Sequence, residues 1–208
     1  MSRLAKAYSL TSTNDTKDLY DKWASTYDSE MSREEEDYVG PALAAAHILQ
    51  HLGAEEIGPD VEILDAGCGT GLAGIALSRL GARKVDGVDL SPGMLDVARK
   101  AGVYRHLDTA DLSTRLVHDD DRYDVVCCVG TLTQAHVGPV VLDEFVRIVK
   151  PGGYIVATIL GSIYVSGGYE AKIESLVNRG KAKLISAEME DYRRKANIRA
   201  RMVVIQVV

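Results

Sequence analysis

The residues best suited to chemistry lie in two short stretches. In residues 61–72 an apolar run ends in Asp65, followed by glycine at every second position, Gly67, Gly69 and Gly71, with Cys68 inside the bend. Glycines so spaced remove Cβ where a backbone turns sharply and lets a ligand come within contact distance. Leu72, Ile75, Ala76 and Leu80 then recur at helical spacing up to Gly81. The bend therefore feeds a helix N-terminus, whose free N–H groups and dipole attract a carboxylate or phosphate. Asp65 adds an acceptor suited to an ammonium or a hydroxyl. In the second stretch, residues 84–90 form a strand ending in Asp89, an acid placed to accept from both hydroxyls of a ribose.

Other candidates surround these two. Ser91 is suited to N-cap the next helix and Pro92 to occupy its first position. Met94 then points back to the strand tip, either as a polarizable surface for a purine or as plain core. Asp111 is a candidate acceptor for an exocyclic amine, with the Leu112 N–H as donor to a ring nitrogen, and Asp108 competes for the same role. Tyr20, Trp23, Ala24 and Tyr27 share one helical face. That face either packs on the core as an ordinary amphipathic helix or closes over a ligand as a lid. His136, in the loop after the fourth strand, is a candidate general base, and a loop histidine without a role is an equal alternative. His47 and His51 stand four apart without a third ligand, so no metal site is expected.

The elements that must position these residues alternate. Residues 1–16 are polar and unpatterned, a flexible tail, and residues 17–52 form a helical lid. In that lid the acidic residues 32–37 start a helix at Ser32, Gly40 and Pro41 interrupt it, and residues 42–52 continue it to Gly53. The turn at 58–60 leads into a core of residues 60–208. Strands are expected at 61–65, 84–90, 103–107, 123–130 and 154–159. Helices lie between them, the last before Lys150, Pro151, Gly152 and Gly153. Residues 123–130 are almost continuously apolar, the mark of a central parallel strand covered on both faces. After a short helix carrying Ile173, Leu176 and Val177, residues 183–189 and 198–208 are β-forming without a helix between them, and so pair antiparallel. The expected fold is α/β, a doubly wound, mostly parallel seven-stranded sheet of Rossmann-like kind, ending in an antiparallel hairpin with helices on both faces.

Composition narrows the function. The 208 residues suit one domain, with 46% hydrophobic and 26% charged residues. A formal net charge of −6 argues against holding polyanions by bulk electrostatics, so nucleic acid is not an expected partner. The apolar stretch 154–165, which contains Gly161 and Ser162, is too short to span a bilayer and residues 1–16 lack the apolar core of a signal peptide, so no membrane partner is expected. Cys68, Cys127 and Cys128 fit neither a disulfide framework nor a zinc site, and a cytoplasmic location is expected. A homo-oligomer is compatible with all of this.

Four motifs carry a resemblance. They are Leu64 to Gly71, Gly87 to Leu95, Tyr123 to Val126, and Lys150 to Gly153. In this order and spacing the chain resembles the class I S-adenosylmethionine-dependent methyltransferases across roughly residues 20–158. Tyr20 to Ala24 with Tyr27 and Asp28, and Val129 with Gly130, resemble the small methyltransferase-like proteins of the Williams-Beuren region. The resemblance implies S-adenosylmethionine as cofactor and S-adenosylhomocysteine as product. Asp65 and the bend, Gly67, Cys68, Gly69 and Gly71, would hold the methionine part, and Asp89 the ribose. Leu90 and Met94 would flank adenine, Asp111 and Leu112 would read its edge, and Val129 would lie near the sulfonium. Tyr20, Trp23 and Tyr27 would close the site.

Methyl transfer is an in-line displacement in which collinear positioning supplies most of the rate, and a base such as His136 is needed only if the acceptor must lose a proton. The loop at 129–132 lacks the Asn/Asp-Pro-Pro-aromatic grip of nucleic-acid amino methylation, so a small-molecule acceptor is expected, oxygen ahead of nitrogen. Its pocket would draw on the lid, the 131–137 loop and the 160–169 segment, with Tyr27, Tyr164 and Tyr169 as lining. Two alternatives stand beside this reading. Residues 69–74 also satisfy the dinucleotide fingerprint of an NAD-dependent oxidoreductase, although 65–68 intervene between strand and fingerprint. A cofactor-binding partner protein without catalysis is the other.

Overall fold

Apolar residues switch between period two and period 3.6 along this chain, and each switch becomes a change from strand to helix. The computed structural model describes Ala7, Leu10 and residues 12–31, 37–133 and 137–208. Strands β1 (Glu62–Ala66), β2 (Lys84–Asp89), β3 (His106–Thr109), β4 (Tyr123–Leu132) and β5 (Val149–Leu160) run parallel. A hairpin of β6 (Ala182–Arg193) and β7 (Ile198–Val207) completes the sheet, with β7 antiparallel to β5. The strand order is β3-β2-β1-β4-β5-β7-β6, the doubly wound arrangement with a terminal hairpin that the sequence predicts.

Alternation within the strands divides the core in two. Ile63, Val125, Val156 and Val204 meet α2 (Gly40–Leu52) and α3 (Leu72–Arg79) on one face. Leu64, Val126, Ile155 and Val203 meet α5 (Val141–Ile148) and α7 (Tyr169–Asn178) on the other. The intervening α4 (Pro92–Lys100) packs under α1 (Thr13–Met31), and the single turn α6 (Gly161–Tyr164) follows β5.

Several boundaries differ from expectation, among them that of β5, which starts at Val149 and takes in the Lys150 to Gly153 segment expected to end the preceding helix. Helix α1 starts at Thr13, inside the expected tail, because Ser12 turns back on it: its carbonyl accepts from Thr16 N–H (3.0 Å) and its hydroxyl from Asp15 N–H (3.4 Å). Helix α2 starts at Gly40, where Pro41 sits in the first turn instead of interrupting; the expected start at 32–36 lies outside the described residues. Strand β3 begins three residues late, at His106; just before it Arg105 N–H donates to the Val85 carbonyl (2.8 Å) and its guanidinium binds Glu62 (2.6 Å) and Asp86 (2.7 Å).

Candidate functional site

The strand order reverses between β1 and β4, and in open α/β sheets such a reversal leaves a crevice beyond the carboxyl ends of the strands. A cleft opens there, lined from both sides of the reversal. The glycine bend, Asp65 and Asp89 form its base, β4 supplies Val129 to Thr131 on one side, and α1 lies across it.

The bend is shaped by left-handed backbone at Gly67 (φ +75°), Gly69 (φ +53°) and Gly71 (φ +97°). Space is as strict as conformation, since a Cβ on Gly67 would lie 2.1 Å from Thr131 Oγ1. Gly67 and Cys68 donate their N–H groups to the Val88 carbonyl (2.8 and 3.0 Å). Asp89 then ties the two strand-tip loops together, accepting from Gly69 N–H (2.8 Å) on one oxygen and Ser91 N–H (2.9 Å) on the other. A carboxylate has lone pairs to spare after two such bonds, so Asp89 can still accept from a diol. Ser91 caps α4 as expected, its hydroxyl accepting from Met94 N–H (3.1 Å).

Asp65 is 1% exposed. Its Oδ2 accepts from the Tyr104 hydroxyl (2.6 Å), and its Oδ1 is buried with no partner among the described residues. Burial pushes the carboxyl up to about 7 against the Tyr104 hydrogen bond, while the Asp89 charge adds to the rise and the Gly74 N–H opposes it. Burial raises Asp89 as well, against the Ser91 and Gly69 N–H groups. A buried carboxylate without a cation is costly unless a ligand brings one. The donor set therefore suits a ligand with an ammonium for Asp65 and a pair of hydroxyls for Asp89. The Cys68 thiol, pushed well up by burial, stays protonated and offers no nucleophile.

The lid divides its aromatic face. Tyr20 and Tyr27 line the cleft, whereas Trp23, expected at the cofactor, is turned behind them, 2% exposed and donating from Nε1 to Glu30 Oε2 (2.9 Å). Tyr20 stacks on its ring (centroids 5.8 Å apart) and Tyr27 meets it edge-on (4.9 Å), so Trp23 serves as the lid's own core. Two lid carboxylates clasp the two loops below. Thr70 Oγ1 donates to Asp28 (2.5 Å), and Ser91 Oγ and Gly93 N–H donate to Asp21 (2.5 and 2.9 Å). Burial alone would raise Asp21, but the hydrogen bonds from Lys17, Ser91 and Gly93 hold it below its usual range.

Most of the other predicted positions meet at this cleft: Gly67, Cys68 and Gly69 in the bend, Leu90, Met94, Asp111 and Leu112 along one wall, and Val129 opposite. Met94 is both cleft wall and core, 2% exposed. Asp111 lines the cleft while Asp108 does not; one Asp111 oxygen accepts from Ser113 N–H (2.8 Å) and Oγ (2.6 Å). Gly71 stands back from the cleft as the left-handed N-cap of α3. His136 lies outside the described residues. The expected lining by Tyr164 and Tyr169 is corrected: Tyr164 is buried beneath the Arg201 guanidinium (4.6 Å to the ring centroid), and Tyr169 donates to the Val137 carbonyl, bracing the loop from behind. His47 Nε2 is 2.7 Å from Glu190 Oε1, and no metal-binding group of three was found among the described residues.

Several cleft residues had no local signal. Thr13 and Thr16 come from the expected tail. Tyr38 reaches the cleft from the chain before α2, and its hydroxyl sits 3.3 Å from that of Tyr192. Both phenols press on the tip of β4, where a Cβ on Gly130 would lie 2.8 Å from Tyr38 Oη and 3.1 Å from Tyr192 Oη.

Residues 63–153 match the family model described as a methyltransferase domain. The chain is 35% identical over 143 residues to methyltransferase-like protein 27 of Homo sapiens, covering 67% of this chain and 56% of that protein. It is 33% identical over 125 residues to a ubiquinone biosynthesis O-methyltransferase of Alkalilimnicola ehrlichii, covering 57% of this chain and 48% of that protein. The chain thus spans about half the length of the curated relatives it matches. Its fold is similar to that of magnesium protoporphyrin IX methyltransferase from Synechocystis with bound SAH (S-adenosylhomocysteine). That likeness has a TM-score of 0.69 at 17% identity, over 95% of this chain and 100% of that one. Among the described residues no helix is long and apolar enough to cross a membrane. The sheet order, the strand-tip acids and these matches agree: residues 63–153 match a methyltransferase domain, the fold is similar to that of S-adenosylmethionine-dependent methyltransferases, and the cleft suits their cofactor.

Proposed function

We propose that this chain transfers the methyl group of S-adenosylmethionine to a small-molecule acceptor, with oxygen ahead of nitrogen as the nucleophile. The observation that carries the reading is the buried, unpartnered Asp65 Oδ1 at the base of the cleft, beside Asp89, since an ammonium and a ribose on one ligand answer both. Bound there, S-adenosylmethionine supplies a methyl group on a sulfonium, open to in-line displacement.

The side chains of the protein bind and orient. Asp65 meets the ammonium, Asp89 accepts from the ribose hydroxyls, Leu90 and Met94 hold the purine between them, and Asp111 with the Leu112 N–H reads its edge. The clasps from Asp21 and Asp28 keep the lid down and water out. Tyr27 and Tyr38 face the acceptor side, where exclusion and alignment supply most of the rate. His136 takes the proton of a hydroxyl acceptor. The preference for oxygen follows the similarity to a ubiquinone biosynthesis O-methyltransferase. The net charge of −6 and a loop of Val129, Gly130, Thr131 and Leu132 speak against a nucleic-acid acceptor.

The test is incubation of the full chain with methyl-labelled S-adenosylmethionine and, separately, fractionated small molecules, RNA, DNA and protein. Label is expected in a small-molecule fraction. Preferential label in nucleic acid overturns the acceptor class, and cofactor binding without label in any fraction overturns catalysis.

A further inference from the structure

Tyr104 stands in the loop between α4 and β3 and belongs to none of the motifs above. Its ring fills a gap left by three glycines, two at the start of α3 and one in β2. A Cβ on Gly71, Gly74 or Gly87 would approach that ring to 3.1, 2.3 and 3.0 Å. Of the three, Gly71 alone has positive φ, so Gly74 and Gly87 are not required for backbone conformation. What their missing side chains supply is room for Tyr104 and, at Gly87, for Leu107 as well (2.7 Å). Gly87 is also the register partner of Asp65 across β1 and β2, which brings the gap to the base of the cleft. The loop is pinned just beyond the ring, where Arg105 N–H donates to the Val85 carbonyl (2.8 Å) and the Arg105 guanidinium is held by Glu62 and Asp86. At the inner end of the gap the Tyr104 hydroxyl donates to Asp65 Oδ2 (2.6 Å).

We propose that Tyr104 is a positioning residue for the cofactor: it holds Asp65 by one oxygen so that the other is presented to the ammonium of the methionine part. This rests on the cofactor reading above. The groups facing Asp65 are Asp89 from β2, Cys68 from the bend, Cys127 and Cys128 from β4, the Gly74 N–H of α3 and Tyr104 itself. The three thiols and the phenol are all pushed up by burial and stay neutral, so Asp89 is the charge acting on Asp65, and it opposes ionisation. Tyr104 is the main donor working the other way. An ammonium binds the ionised carboxylate, so affinity rises with pH through about 7, and loss of the Tyr104 hydroxyl moves that rise to higher pH.

The test is calorimetric affinity for S-adenosylhomocysteine from about pH 5.5 to about 9, for the full chain, Tyr104→Phe, Asp65→Asn and the double variant. The falling limb set by the ligand's own amino group is common to all, so the rising limb reports Asp65. We expect Tyr104→Phe to shift the rising limb upward and to weaken binding about tenfold near pH 7, with the loss shrinking as pH rises. Asp65→Asn should bind weakly without a rising limb, and adding Tyr104→Phe to it should cost nothing further. An unshifted limb in Tyr104→Phe, or an equal loss when Asp65 is already Asn, overturns the proposal. Should Tyr104→Phe not fold, the unmodified chain still decides, because a flat profile near pH 7 overturns the proposal by itself. Absence of binding by well-folded unmodified chain at every pH overturns the cofactor reading instead.

Discussion

Glu62 and Asp65 stand three residues apart on β1, and Asp86 and Asp89 three apart on β2, yet the fold treats the two ends of these strands oppositely. At the amino ends Arg105 bonds both Glu62 (2.6 Å) and Asp86 (2.7 Å), and Arg122 adds a second bond to Glu62 (3.1 Å). The Arg105 hydrogen bond holds Glu62 below its usual range although burial pushes the other way. At the carboxyl ends Asp65 and Asp89 have, among the described residues, only neutral donors for company, and burial raises both. Acids of one kind on the same strands thus stabilise the protein at one end and lie in wait for a ligand at the other. The sheet satisfies its own charges where nothing binds and leaves the pairing unfinished at the cleft.

The largest expected effect is on stability against pH. Asp65 rises from an ordinary value near 3.8 to about 7 on folding, so the folded chain holds more protons between those values and loses stability as pH climbs through them. Three units at about 1.4 kcal/mol each give up to about 4 kcal/mol, lost by pH 8 and absent as a slope in Asp65→Asn. Glu62 has the opposite sign, its contribution being present above its unfolded value near 4.5 and lost as pH falls through its lowered folded one. Denaturant titrations across pH read both slopes, and a common sign would break the contrast.

Next in size, Asp65→Asn should weaken S-adenosylhomocysteine binding by about 30- to 100-fold, about 2–3 kcal/mol for a lost charge-assisted contact, without lowering the melting temperature. Glu62→Gln should do the reverse, losing about 1–2 kcal/mol of stability with affinity unchanged, as calorimetry beside thermal melts would read. Smallest, Thr70→Val removes the hydroxyl that Asp28 receives and should speed ligand dissociation about fivefold, or about 1 kcal/mol, in stopped-flow displacement.

What the sequence made legible was local. The bend, Asp65 and Asp89 lie where strands end, Ser91 and Pro92 carry their own cap signal, and the hairpin shows as two β-forming runs without a helix between. What it hid depends on side chains meeting across the sheet. Helical periodicity puts Tyr20, Trp23 and Tyr27 on one face but cannot say that Trp23 turns inward to Glu30 while the two tyrosines face the cleft. No local pattern marks Tyr104, whose place is made by glycines in α3 and β2. Tyr164 and Tyr169 are near enough in sequence to the expected pocket, but the hairpin and the 137–140 turn take them to its back. Thr13 reads as tail because the Ser12 turn that starts α1 is made by backbone as much as by side chain.

The central claim is that the two acids at the carboxyl ends, which have no cationic partner among the described residues, are completed by the ligand. A crystal structure of the full chain with S-adenosylhomocysteine tests it most directly. The expected result has the ligand's ammonium within about 3 Å of Asp65 Oδ1 and its ribose hydroxyls at the same distance from Asp89. A bound ligand that leaves both carboxylates without contact, or that lies away from the β1 and β4 tips, would contradict the account.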